Sequence, residues 1–192
     1  MDFFEAVEAR RSVRKYKPDP VRRELVMKIL HAANDAPSAV NLQQWEFIVA
    51  VGDRIARLGE SYGNAMENAY AHIDNKDLPP REVLITFAKV YGGAPLVIAV
   101  LTEATDDPAF RKAHLESASA AMENLVLAAA ALGLGTCWMT GPLRDETRLR
   151  AILGVPDSKE IVAITPLGYP ASVPPKKPRK DPDLSRIVTW LE

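Results

Sequence analysis

Residues His114–Pro142 read HLESASAAMENLVLAAAALGLGTCWMTGP, and this stretch decides the fold. Leu115, Ala118, Met122, Leu125, Ala129 and Leu132 recur at steps of three and four, the spacing of one face of an α-helix. From Leu125 to Leu132 every residue is apolar, which predicts that this half of the helix is enclosed on all sides. A helix of about twenty residues spans about 30 Å, the width of a small domain. Its alanines leave little side chain between backbones, so a neighbouring helix can approach closely. Gly133 and Gly135 are read as its end, because glycine takes the left-handed conformation of a helix C-terminus at little cost. Thr136–Met139 then has the composition of a short buried strand, and Thr140-Gly141-Pro142 stops it in a turn. A buried helix feeding a buried strand that stops abruptly holds a few backbone groups rigidly.

Working outward, Trp45–Val51 is aromatic and β-branched, with the near-continuous apolar run of a central strand. Ala94–Leu101 and Glu160–Tyr169 read as two further buried strands. Asp2 caps a first helix with Phe3, Phe4 and Val7 on its apolar side, and Val21–Ala36 is a second helix that Pro37 ends. Arg54–Lys89 is helical in pattern but broken at Gly63 and at Asp77-Leu78-Pro79-Pro80. Its aromatic residues and the next one, Tyr62, Tyr70, Phe87 and Tyr91, are scattered rather than periodic, which suits a mobile excursion over a site. Leu143–Leu153 reads as a short helix with a polar face.

The 192 residues are read as one domain, 1–192, long enough to bury about 70% of the unfolded surface. A composition of 47% hydrophobic and 26% charged residues is that of a globular protein in water. The longest apolar run falls short of the roughly twenty residues of a membrane span, and the N-terminus is acidic where a secretory signal is basic. A net charge of −1 argues against a general nucleic-acid binder, and a lone cysteine, Cys137, fits a reducing cytoplasm. Residues 170–192 form a Pro- and Lys-rich arm that cannot pack a core alone. Its Pro170–Asp183 part, extended at ~3.1 Å per residue, reaches about 40 Å. That length crosses a subunit.

Basic charge is concentrated at the two ends: Arg10, Arg11, Arg14, Lys15 and Lys17 near one, and Lys176, Lys177, Arg179 and Lys180 near the other. Crowded like charges repel unless they are solvated or share an anion. A phosphate dianion suits them, since guanidinium gives it paired, charge-assisted hydrogen bonds; a solvated basic surface remains the plain alternative. Ser12 lies between arginines, where it serves either a ligand or a turn. The loop Pro37-Ser38-Ala39-Val40-Asn41-Leu42-Gln43 carries two amides that donate and accept, as the hydroxyls and ring edge of a polar cofactor require. Gly133-Leu134-Gly135 follows a helix rather than a strand, so it is no dinucleotide-binding loop. His31, His72 and His114 lack metal-ligand spacing, so no metal site is assigned. Cys137 has no base beside it in sequence and reads as inert core.

Taken together, the sequence resembles the FMN-dependent nitroreductase family. The resemblance is carried, in order, by Arg10-Arg11-Ser12-Val13-Arg14, by Ala36-Pro37-Ser38-Ala39-Val40-Asn41-Leu42-Gln43-Gln44-Trp45, by Gly133-Leu134-Gly135-Thr136-Cys137-Trp138, and by Leu167-Gly168-Tyr169-Pro170 with Pro175-Lys176-Lys177-Pro178-Arg179. Gln44 departs from it, standing where the family usually has proline. The resemblance implies an α+β fold, a mixed and largely antiparallel sheet flanked by helices, in an intertwined homodimer. The central helix would meet its counterpart there, and the 170–192 arm would wrap the partner. Two FMN molecules would lie at the interface. Arg10, Arg11, Lys177 and Arg179 would serve the phosphate end, and Ser12 and Arg14 the ribityl chain and pyrimidine side. Pro37, Ser38, Asn41 and Gln43 would come from the other subunit. The Thr140 and Gly141 backbone would face the flavin edge near N5, with Arg14 beside N1 and O2 as the stabilising cation. The implied reaction is ping-pong: NADH or NADPH gives hydride, and a nitroaromatic, quinone or enone takes it, with Tyr62–Tyr91 as the channel wall. Reductive dehalogenation, flavin fragmentation and non-catalytic flavin binding are the alternatives on the same residues, and a basic-armed adaptor for acidic partners is another.

Overall fold

The computed structural model describes residues 1–70 and 79–191. Its elements follow as α1 (Phe3–Ala9), α2 (Arg23–Asn34), β1 (Trp45–Val51), α3 (Asp53–Tyr70), α4 (Arg81–Val90), β2 (Leu96–Glu103), α5 (Pro108–Ala131), β3 (Gly135–Thr136), α6 (Glu146–Leu153) and β4 (Lys159–Gly168). The strands pair antiparallel in the order β1-β2-β4-β3. A parallel bridge between Ser12 and Thr136 at the β3 edge makes the sheet mixed.

Successive residues of β2 face opposite sides of the sheet. Leu96, Ile98 and Val100 turn towards α2 and α5, with Ala163 and Leu167 of β4 beside them. Val97, Ala99 and Leu101 turn towards α3, α4 and α6, with Ile161 and Ile164. An extra residue at Val162 shifts the register between Val100 and Leu101, which keeps both halves of β4 in phase with these two layers. The strand read as central, β1, is an edge strand: Glu46, Val49 and Val51 are exposed. Apolar composition reports that a strand is covered, whereas its neighbours are set by pairing, which composition does not encode.

α5 is the long central element. Asp107 caps it, its carboxylate accepting from the backbone N–H of Ala109 at 2.8 Å and of Phe110 at 3.2 Å, so the four free N–H groups of the first turn are partly satisfied. It ends with Gly133 at φ 74°. The Leu134 N–H donates to the Ala129 carbonyl at 2.8 Å, and the Gly133 N–H to Ala130 at 3.0 Å, the double closure of a left-handed C-terminus. Gly135 plays no part in that ending. It lies in β3, where a Cβ would stand 2.8 Å from the Val13 side chain. The expected enclosure of Leu125–Leu132 is one-sided: Leu125, Val126 and Ala129 are buried, but Leu127, Ala128 and Ala130 are half-buried and Ala131 is exposed. Within one chain the sheet and α2 cover a single flank of this helix.

α3 runs through Gly63 without a break. The glycine there makes room for Lys89 of α4, whose side chain lies where a Cβ would project. Of the expected break at 77–80, Asp77 and Leu78 lie outside the described residues, and α4 begins directly after Pro80. Tyr62, Phe87 and Tyr91 are all buried in the layer between the helices and the sheet, so these rings are not available to wall a channel by stacking. Their spacing looked irregular because they belong to three different elements packed on one core.

Candidate active site

The basic segment after α1 is stitched down on both sides. Val13 N–H donates to the Thr136 carbonyl at 2.8 Å, Tyr16 N–H to Gly92 at 3.0 Å, and Lys17 N–H to Tyr169 at 2.8 Å. Val13 and Tyr16 point inward, 3% and 7% exposed, and the Tyr16 hydroxyl donates back to the Val13 carbonyl at 2.7 Å. With those two side chains committed to the core, Ser12 is left half-buried and Arg14 and Lys15 exposed. The Ala171 N–H then donates to the Lys15 carbonyl at 2.9 Å, which aims the C-terminal arm back over α1. There the Lys176 ammonium pairs with Glu8 at 3.0 Å.

The outcome is a cleft of about 510 Å³ between the segment and the arm. Arg10, Arg11, Arg14, Lys176, Lys177 and Arg179 line it, and Glu8 is the one carboxylate among the lining residues. Since Glu8 is paired with Lys176, the remaining cations face one another across the cleft uncompensated. An anion of charge two fits that balance, and a carboxylate-lined cation site does not. Arg11 is partly spent: its guanidinium donates to the carbonyls of Glu8 and of Arg10, the latter at 2.8 Å, closing the C-terminus of α1. Ser12 and Arg14 also line the cleft, and a guanidinium nitrogen of Arg14 donates to the Ser12 carbonyl at 3.2 Å.

Thr140 and Gly141 are not in the cleft lining. They follow Met139, whose N–H and carbonyl exchange hydrogen bonds with Ile164 at 2.9 and 3.0 Å, and they open the short 3-10 turn Gly141–Asp145. Gly141 abuts Tyr62, whose hydroxyl would lie 2.6 Å from a Cβ at that position. Burial pushes the Tyr62 phenol up to about 12, against the pull of Arg14 and Arg144. Tyr62 thus packs directly against the Gly141 backbone. Cys137 is 3% exposed, and burial raises its thiol, in keeping with an inert core position.

The loop Pro37–Gln43 lies elsewhere, over α5, where the Ala39 N–H donates to Ser117 Oγ at 3.1 Å. None of its residues lines the cleft of the same chain. Its expected ligand-binding groups bond to one another: Ser38 Oγ accepts from the Gln43 N–H at 3.0 Å, and the Gln43 amide donates to Asn41 Oδ1 at 2.8 Å. Val40, Asn41 and Gln43 take positive φ of 44°, 58° and 49°, a conformation that costs a β-branched residue most. Gln44, 8% exposed, has both amide atoms buried with no hydrogen-bond partner among the described residues. Trp45 is core, its indole N–H donating to Asn34 Oδ1 at 3.0 Å.

The family model for the nitroreductase family matches residues 7–169. An NADH dehydrogenase of Thermus thermophilus is 35% identical over 99% of this chain and 96% of its own length. The chain belongs to the nitroreductase family. An iodotyrosine deiodinase of Danio rerio is 30% identical over 96% of this chain and 63% of its own length. Among solved structures, a nitroreductase with bound FMN from Bacteroides fragilis superposes with a TM-score of 0.73 at 25% identity, over the whole of both chains. Within this nitroreductase fold, Glu8 is a site neighbour that the sequence did not single out, and Tyr62, read as channel wall, is instead buried against Gly141. The i, i+3 step from Glu8 to Arg11 could have drawn attention to the end of α1; nothing local connects Tyr62 to Gly141. No helix among the described residues is long and apolar enough to cross a membrane.

Proposed function

We propose that this chain is an FMN-dependent oxidoreductase that takes electrons from NADH or NADPH, works as an intertwined homodimer, and reduces small planar acceptors such as nitroaromatics, quinones or enones. The convergence of the two basic chain ends on one cleft carries this reading. When bound, FMN supplies hydride relay between a nicotinamide donor and an oxidised acceptor. Arg10, Lys177 and Arg179 hold the phosphate dianion by charge-assisted hydrogen bonds. Ser12 offers a hydroxyl to the ribityl chain. Arg14, in the cleft lining, would supply a cation where reduction leaves negative charge on the pyrimidine side. The Thr140–Gly141 backbone borders the N5 edge, held by the Met139–Ile164 pairing.

Pro37, Ser38, Asn41 and Gln43 belong to the partner's cofactor in this reading. Their distance from the cleft of their own chain supports it, as does the half-covered flank of α5. The end of the arm supports it too: Trp190 and Leu191 are 84% and 93% exposed, a costly display unless a second subunit covers them. Cytoplasmic residence, with no nucleic-acid or membrane partner, completes the proposal.

The 30% identity to an iodotyrosine deiodinase favours a second acceptor class, halogenated phenols losing halide. One experiment addresses both. The purified protein is expected to be yellow, to release FMN on denaturation, and to bleach anaerobically with NADH or NADPH. Reoxidation is then followed with a nitroaromatic, a quinone, an enone and an iodophenol. A protein that binds FMN but stays oxidised with both nicotinamides removes the reductase reading and leaves flavin binding. Halide release from iodophenol, with no turnover of the others, selects the second reading.

A further inference from the structure

Two walls of the proposed flavin site, the Arg14 backbone and the Thr140–Gly141 backbone, come from distant parts of the chain. Among the described residues no hydrogen bond joins them. The Val13 N–H bond to the Thr136 carbonyl ties the two stretches together four residues before Thr140, and nearer the site the connection is a pair of buried rings. Tyr62 of α3 packs on Tyr91 with ring centroids 5.7 Å apart and planes tilted by 42°. At one end of the pair, the Tyr62 hydroxyl fills the space a Gly141 side chain would need, 2.6 Å from its Cβ position. At the other end, Gly92, next to Tyr91, presses against the Arg14 carbonyl so closely that a Cβ there would collide with it. Its own carbonyl accepts from the Tyr16 N–H at 3.0 Å.

Tyr91 is kept in place at a cost. It is fully buried, takes a left-handed φ of 48°, and its hydroxyl has no hydrogen-bond partner among the described residues. A non-glycine residue in that conformation and an unpaired buried hydroxyl are each unfavourable. Such strain persists where the surrounding structure over-determines it, and it clusters at functional sites.

We propose that Tyr62 and Tyr91 are positioning residues: packed on each other at a tilt, with Tyr62 against Gly141 and Tyr91 joined through the backbone to Gly92, they set the gap between the Arg14 wall and the Gly141 wall, and so fix how closely the two close on the flavin. The proposal rests on the flavin reading above. It assigns the rings no contact with substrate. Loss of ring volume lets the walls approach, and added volume at Gly141 pushes them apart; either change detunes the cation and the backbone that face the cofactor.

The test is titration of the apoprotein with FMN, read as quenching of flavin fluorescence, with the flavin reduction potential measured alongside and melting temperature as the check on folding. Tyr62→Leu and Tyr91→Leu are each expected to weaken FMN binding about tenfold and to shift the potential. Tyr91→Phe keeps the ring and is expected to restore both while melting higher, because it removes the unpaired hydroxyl. Gly141→Ala is expected to cost about tenfold in the wild-type background but less than about threefold in Tyr62→Leu, where the space is vacant. If a leucine variant does not fold, Tyr62→Phe decides: a small loss of affinity with a shifted potential supports the strut, and values identical to wild type overturn it. Additive effects of Gly141→Ala and Tyr62→Leu also overturn it. A wild-type protein that takes up no FMN at all defeats the flavin reading instead, so the two failures are distinguishable.

Discussion

The basic cleft and the Pro37–Gln43 loop, with Gln44 directly after it, were both expected to lie at the cofactor, and they differ in what each costs the fold. The cleft is assembled within one chain from stretches some 165 residues apart in sequence. Its backbone is conventional and its cost is electrostatic, cations facing one another with Glu8 as the one carboxylate in the lining. The loop is local in sequence, its charge is neutral, and its cost is conformational: three positive φ angles without glycine and a buried amide with no partner among the described residues. An anion relieves the first cost. Among the described residues nothing relieves the second, in keeping with the proposal that a second copy completes this surface.

The largest expected effect would break the comparison on the cleft side. Arg10→Ala with Arg179→Ala removes two charge-assisted hydrogen bonds of about 1.5–3 kcal/mol each, so FMN affinity is expected to fall by a hundredfold or more. The melting temperature of the apoprotein should hold or rise, because like charges are thinned out. Unchanged flavin occupancy after gel filtration would take the phosphate away from this cleft.

The loop side is tested by Gln44→Met, which keeps the volume and removes the stranded amide. Stability is expected to rise by about 1–2 kcal/mol, or roughly 2–8 °C in melting temperature for a domain of this size. A loss of stability would mean that the amide has a partner, placed there by the second subunit, and measuring the variant as monomer and dimer sharpens that distinction. Val40→Gly is the smaller conformational counterpart. At φ 44° the usual penalty for introducing glycine is offset, and the variant is expected to lie within about 0.5 kcal/mol of wild type or above it.

The pH dependence separates the buried rings from both regions. Burial pushes the Tyr62 phenol up to about 12 and raises Tyr16 and Tyr91 as well. The unfolded chain releases these protons near pH 10, whereas the folded chain keeps them. Their contribution is therefore complete below about pH 10 and is lost as pH rises towards the folded values. Melting temperature is expected to fall steeply on that side, with tyrosinate absorbance appearing only as the protein unfolds. Glu8 gives the smallest signal. Its hydrogen bond and charge pairing with Lys176 hold its carboxyl below the usual range, so the latch is present at neutral pH and released as pH falls through that lowered value. Glu8→Gln removes that charge at every pH and should increase cleavage of the arm by trypsin at neutral pH relative to wild type.

The elements were legible where physics acts over a few residues. The Asp2 cap, the Gly133 closure, the apolar period of α5 and the strand composition of β2 and β4 all follow from neighbours within a turn or two. Misreadings occurred where distance in sequence hides proximity in space. β1 read as central because its apolar content matches β2, yet it pairs on one side only. Gly63 read as a break, yet it is where Lys89 packs. Gly135 read as a helix stop, yet it is where Val13 packs. The four aromatic residues read as a channel wall, and three are core.

By itself the sequence determined the helix and strand inventory, the two concentrations of positive charge and the order of motifs, because propensity, periodicity and charge are properties of adjacent residues. Tertiary structure alone decided that the two charged ends share one cleft, that the Pro37–Gln43 loop lies away from it, and that a tyrosine from α3 touches the glycine at the far wall. Those relations depend on how strands pair and which faces pack, and the free energy that selects them comes from contacts between residues that the chain keeps far apart.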